Sequence, residues 1–175
     1  AVGVSRKPLN IGVCGVGTVG LATIGILRDQ QATLLARSGQ AMVVSHVGAR
    51  REHPDHDYGE VRVSRDVLDV ARDPDVDVLV ELIGGTTVAQ DLIKLAIQQG
   101  KHVVTANKAL IAEHGNELIA LAEAAGVQIR YEAAVAGGIP VIKVLRESLA
   151  ANAVTEVAGI INGTGNFILT EMASA

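Results

Sequence analysis

Short apolar runs alternate along this chain with longer segments whose apolar residues recur at helical spacing, and the alternation begins at Leu9. Residues 9–14 (LNIGVC) read as a strand. In residues 18–37, Leu21, Ile24, Leu27, Leu34 and Leu35 fall at helical intervals before Gly39, which predicts a helix and its stop. Residues 41–49 (AMVVSHVGA) read as the second strand. The stretch 50–63 carries Pro54, Asp55, His56, Asp57 and Gly59 and reads as loop, after which Ser64 is expected to cap a short helix ending near Asp73 and Pro74. Residues 76–83 (VDVLVELI) predict a third strand. The pattern then gives a helix over 87–99 closed by Gly100, a strand over 102–105, a helix over 109–125 closed by Gly126, and a strand over 127–135. A helix over 139–150, with Pro140 tolerated in its first turn, and a strand over 154–161 follow, and a last periodic segment covers 166–173.

Strands joined by helices of this length predict an α/β fold with a doubly wound parallel sheet of Rossmann type, because a parallel crossover needs an intervening element. The expected organisation is an N-terminal tail at residues 1–8, one domain over 9–150, and the opening strand and helix of a second, incomplete α+β domain over 151–175.

Composition sharpens this picture. Of the 175 residues 49% are hydrophobic, yet the only aromatics are Tyr58, Tyr131 and Phe167, so the core must be aliphatic, as in sheets covered on both faces. Three aromatics and a net charge of -4 argue against nucleic acid as a partner. No apolar run approaches the roughly 18 residues of a membrane span, and the opening AVGVSRKP lacks a signal-peptide core, so a cytoplasmic protein is expected. Cys14 alone builds neither a disulfide framework nor a structural zinc site, and inside the first strand it reads as a small core filler.

Gly15, Val16, Gly17, Thr18, Val19 and Gly20 form a complete G-x-G-x-x-G between the first strand and the first helix. In that setting Gly15 permits a tight turn, Gly17 lets backbone amides approach a pyrophosphate, and Gly20 lets the helix pack closely. The helix start adds N–H groups and a positive dipole end. An acid at the end of the second strand would accept from the ribose 2′-OH of NAD, whereas an arginine would pair with the 2′-phosphate of NADP. Arg50 and Arg51 stand there, which favours NADP, and Glu52 follows as the group that would serve NAD.

Gly84, Gly85 and Thr86 end the third strand, and Thr105 to Lys108 end the fourth, at the edge where ligands of open α/β sheets collect. A lysine at that edge is able to polarise a carbonyl or carry a proton, although most lysines solvate surfaces. The loop His53 to Asp57 has ligand-type side chains but no partner cluster elsewhere, and the acids from Asp66 to Asp77 flank a surface helix. The stretch from Glu132 to Pro140 (EAAVAGGIP) places two glycines between a strand and a helix. Such a loop is either a plain turn or one that exposes carbonyls and a carboxylate to a hard cation.

Taken in order, GVGTVG, ELIGG, TANKALIA, YEAAVAGGIPVIKVLRESLA and INGTGNFILTEM resemble the nucleotide-binding part of the homoserine dehydrogenases, from about Leu9 to the end. The first motif is shared by many dehydrogenases; the lysine motif and the EAAVAGGIP stretch are far more specific. The resemblance implies NAD(P)-dependent interconversion of L-homoserine and L-aspartate 4-semialdehyde, on the route to threonine, methionine and isoleucine. By matched position it implies that Val16, Gly17, Thr18 and Val19 meet the pyrophosphate and Arg50 the adenosine end. Gly84, Gly85 and Thr86 would line the cofactor path with Thr105 nearby, and Lys108 would stand beside the nicotinamide and the substrate hydroxyl. Glu132, Val135, Gly137 and Ile139 match the family's sodium site, held mostly by backbone oxygens.

Gly165 departs from the family's usual N-G-T-T-N. The family continues into a substrate domain with an Asp and a further Lys at the reacting centre, so a fragment of a homo-oligomeric enzyme is expected, and a fusion to an aspartate kinase domain is left open. Two other readings compete. Aspartate-semialdehyde dehydrogenase chemistry needs a catalytic cysteine where this chain has only Cys14, and a non-catalytic NAD(P) sensor has no need of Lys108.

Overall fold

The computed structural model describes residues 8–29, 32, 36, 41–51 and 58–132. Their elements are β1 (Leu9–Cys14), α1 (Thr18–Asp29), β2 (Met42–Gly48), β3 (Arg62–Ser64), α2 (Leu68–Arg72), β4 (Val78–Glu81), α3 (Thr87–Gln98), β5 (His102–Thr105), α4 (Lys108–Ala125) and β6 (Ile129–Tyr131). The six strands form one sheet in the order β3-β2-β1-β4-β5-β6, and every neighbouring pair is parallel. This is the expected doubly wound sheet. The chain builds outward from β1 to β3, returns past β1 to β4, and builds outward again, which leaves a crevice at the carboxyl ends of β1 and β4.

Side-chain alternation explains why this sheet is buried on both faces. Ile11, Val13, Val78, Val80 and Val104 point to one face and pack with Ile24 and Leu27 of α1. Cys14, Leu79 and Val103 point to the other, against Val70 of α2, Leu92 and Ile93 of α3, and Leu110 and Leu118 of α4. Each such fully buried aliphatic side chain contributes on the order of 1.5–3 kcal/mol. Asn107 caps α4 by accepting from the Leu110 N–H at 3.1 Å, and Gly126 closes it in the left-handed conformation, φ +71°.

The structure differs from the sequence pattern in two places. Residues 62–64, expected as the end of a loop and a helix cap, form β3 and pair with His46, Val47 and Gly48. Two of the three are exposed, so no apolar run marks them. Ser64 does not cap the next helix: its Oγ bonds His46 Nε2 at 2.8 Å, and the Asp66 carboxylate accepts the Leu68 N–H instead. Of the expected continuation of the first helix to 37 only residues 32 and 36 are described, both helical, and the helix over 139–150, the strand over 154–161 and the second domain lie outside the described residues.

Candidate dinucleotide site

Two of the three loop glycines are demanded by the fold. Gly15 has φ +99°, and a Cβ there would meet the Leu82 carbonyl carbon and oxygen at 2.8 Å. A Cβ on Gly20 would collide with the Gly15 carbonyl oxygen, because α1 packs directly on the turn. Gly17 is different: a Cβ there would meet nothing within 4 Å. The protein itself therefore leaves open the space that the middle glycine keeps clear. First-turn N–H groups of α1 at Thr18, Val19 and Gly20 have no intrahelical carbonyl to bond and stand free for an anion.

That open space belongs to a cleft of about 320 Å³ lined by Gly15, Val16, Gly17, Gly48, Ala49, Arg50, Arg51, Val67, Leu82, Ile83 and Gly84. Arg50 and Arg51 are exposed at its rim, directly after β2. A further guanidinium that the sequence reading passed over, that of Arg65, donates to the Ala49 carbonyl at 3.3 Å and adds positive charge to the same end. Glu52 lies outside the described residues.

A second cleft of about 140 Å³ opens on the other side of the crevice, lined by Val19, Glu81, Leu82, Gly84, Ala106 and Asn107. Gly84 and Gly85 take φ +73° and +70° in the loop that leaves β4. Beneath this loop the fully buried Glu81 carboxylate accepts from the N–H groups of Ile83 and Gly84 at 2.9 and 3.3 Å and from the Thr105 hydroxyl at 2.7 Å. Thr105 Oγ1 in turn accepts the Asn107 N–H at 3.1 Å, and the Asn107 amide donates to the Gly85 carbonyl. The loops after β4 and β5 are thus locked together, and Lys108, the first residue of α4, is held at their junction with its side chain exposed. Glu81 and Asn107 were missed in the sequence. The signals were there: an acid inside the apolar run VDVLVELI, and an Asn just ahead of a periodic segment.

The structure therefore brings Gly15 to Gly20, Arg50, Gly84, Gly85, Thr86, Thr105 and Lys108 to one edge of the sheet. Thr105 acts from below, its buried hydroxyl committed to Glu81 and Asn107. Glu132 reaches the same edge, its N–H donating to the Thr105 carbonyl at 3.0 Å, while Val135, Gly137 and Ile139 lie outside the described residues. Among the described residues no group of three or more His, Cys, Asp or Glu is placed to hold a metal, and no helix is long and apolar enough to cross a membrane. Cys14 is buried, and that burial, followed by the Glu81 charge, pushes its thiol far above the ordinary range, which suits a packing role and not a nucleophile.

A parallel sheet in this order, with a glycine turn at its switch point and both clefts along its carboxyl edge, defines a dinucleotide-binding domain of the dehydrogenase type. Residues 15–132 match the homoserine dehydrogenase NAD-binding domain, and residues 140–175 match a second homoserine dehydrogenase region. The chain belongs to the homoserine dehydrogenase family. It is 54% identical over 166 residues to the homoserine dehydrogenase of Pseudomonas aeruginosa, which covers 95% of this chain and 38% of that protein. The Bacillus subtilis homoserine dehydrogenase is 40% identical over 168 residues, 95% of this chain and 39% of the relative. The crystal structure of a homoserine dehydrogenase from Thiobacillus denitrificans superposes with a TM-score of 0.70 at 46% identity, covering 83% of this chain and 34% of the other. The chain thus spans about two fifths of the length of the curated relatives it matches.

Proposed function

We propose that this chain forms the cofactor-binding part of an enzyme that interconverts L-homoserine and L-aspartate 4-semialdehyde with NAD(P), in the biosynthesis of threonine, methionine and isoleucine. The observation that carries the reading is Gly17, which faces open space at the start of α1 where the fold makes no demand for glycine. Family membership supplies the substrate. When bound, the cofactor supplies or takes up hydride; the residues of this chain bind it, orient it and manage a proton.

The α1 amides would receive the pyrophosphate, the cleft beside Arg50 the adenosine half, and the cleft beside Gly84 and Ala106 the nicotinamide half. Three arginines at the end of β2 and β3 support NADP over NAD, because a guanidinium matches a phosphate in both charge and geometry. Lys108, exposed at the junction of the two loops, would hold the proton of the substrate hydroxyl. Glu132 beside Thr105 supports a sodium site completed by Val135, Gly137 and Ile139, and a homo-oligomeric cytoplasmic enzyme fits the family. The two competing readings gain no support, since Cys14 is buried and the matched regions are those of homoserine dehydrogenases.

The test is NADPH consumption with aspartate semialdehyde, by these 175 residues and by the longer protein. Hydride transfer needs the reacting carbon held about 3–3.5 Å from the nicotinamide, a geometry the substrate domain helps to set. Turnover is expected only in the longer form and should fall at least about a hundredfold in its Lys108→Ala variant. Full activity of that variant would refute the role of Lys108.

A further inference from the structure

Glu81 has no solvent contact, and none of the described cationic side chains pairs with it. Ile83 and Gly84 present N–H groups to Oε2, and Thr105 Oγ1, which already accepts the Asn107 N–H, gives its own proton to Oε1. The described partners of Glu81 all act as donors, two backbone N–H groups to Oε2 and the Thr105 hydroxyl to Oε1, which is the set that a carboxylate uses. Burying a charge without a counter-ion is costly, and this one lies in the wall of the 140 Å³ cleft on the β4 and β5 side. That cleft shares Leu82 and Gly84 with the larger one at Arg50, so a dinucleotide with its adenosine half at Arg50 has its nicotinamide half here. The oxidised nicotinamide ring is cationic; the reduced ring is neutral.

We propose that Glu81 sets the preference of this site between the two redox states of the cofactor, its buried carboxylate favouring the oxidised, cationic nicotinamide over the reduced one. The proposal rests on the NAD(P) reading above. Low local polarity lets the charge act over the distance to the ring, and Thr105 and Asn107 are the positioning residues that hold the carboxylate in place.

Titration of the purified chain with NADP+ and with NADPH, followed by calorimetry, tests this directly. Glu81→Gln keeps the size and removes the charge, with its oxygen toward Ile83 and Gly84 and its amide donating to Thr105, whose hydroxyl turns from donor to acceptor. It should weaken NADP+ relative to NADPH by roughly threefold or more. Thr105→Val removes a hydrogen bond and keeps the charge, so both affinities should move together. An unchanged ratio in Glu81→Gln, or an equal change of ratio in Thr105→Val, overturns the proposal. If Glu81→Gln does not fold, Glu81→Ala, which also removes the charge, decides the matter. A loss of NADP+ relative to NADPH of roughly threefold or more supports the proposal, and an unchanged ratio overturns it. A parent chain that binds neither form refutes the NAD(P) reading and this inference with it. A parent that binds both leaves that reading standing whichever way the ratio falls.

Discussion

Gly20 of α1 rests on the carbonyl oxygen of Gly15, with no room between them for a methyl group. Gly17 stands two residues from Gly15 with open space before it. The two glycines should therefore respond in opposite ways to substitution. Gly20→Ala forces the helix off the turn and should cost roughly 1–3 kcal/mol of stability, read as a lowered midpoint in urea. Gly17→Val should leave the midpoint within about 1 kcal/mol of the parent and raise the Kd for NADPH at least about tenfold. Unchanged affinity in Gly17→Val would remove the pyrophosphate from this turn.

Arg50 stands exposed at the rim of the cleft proposed for the adenosine half. A charge-assisted contact to the 2′-phosphate is worth on the order of 1–3 kcal/mol, so Arg50→Ala should weaken NADPH about fivefold to a hundredfold and leave NADH nearly untouched. Parallel titrations with both cofactors decide it. Equal losses for the two would move the assignment to Arg51 or Arg65.

At the opposite edge of the sheet, His102 Nδ1 accepts the backbone N–H of Gln128 at 3.1 Å, a bond that only the unprotonated nitrogen makes. Burial pushes the imidazole below its ordinary value against the opposing pull of Asp77. A histidine with a lowered folded-state pKa contributes stability that is full above about pH 6.5 and is lost as the pH falls through its folded value. Urea midpoints should accordingly drop between about pH 6.5 and pH 5, and less so in His102→Gln. A midpoint equally flat in parent and variant over that interval would show that His102 does not carry the effect.

What the sequence revealed and what it hid have physical reasons. β1, β4 and β5 are buried on both faces, so their apolar runs stand out, and Gly126 marks the end of α4 because only a left-handed residue closes that helix cheaply. β3 was invisible because two of its three side chains are exposed and its ladder bonds are made by backbone alone. Ser64 looked like a cap because serine commonly caps helices, but its tertiary partner, the buried His46, lies 18 residues away in sequence. The glycine turn was legible because its chemistry is local. The Glu81, Thr105 and Asn107 network was not, because it exists only once β4 and β5 are adjacent.

The order of the strands has a consequence for cohesion. Among the described strands the chain passes from one flank of the sheet to the other once, between β3 and β4, so β1 to β3 build one flank and β4 to β6 the other, with β1 and β4 meeting along a single seam. A dinucleotide stretched from Arg50 to Ala106 would lie across that seam like a staple, fastening two consecutive blocks of the chain. At a hundred times its Kd such a ligand adds about 2.7 kcal/mol against unfolding. Amide exchange would then slow on both flanks at once, at β3 as well as β6, though neither edge strand touches the ligand.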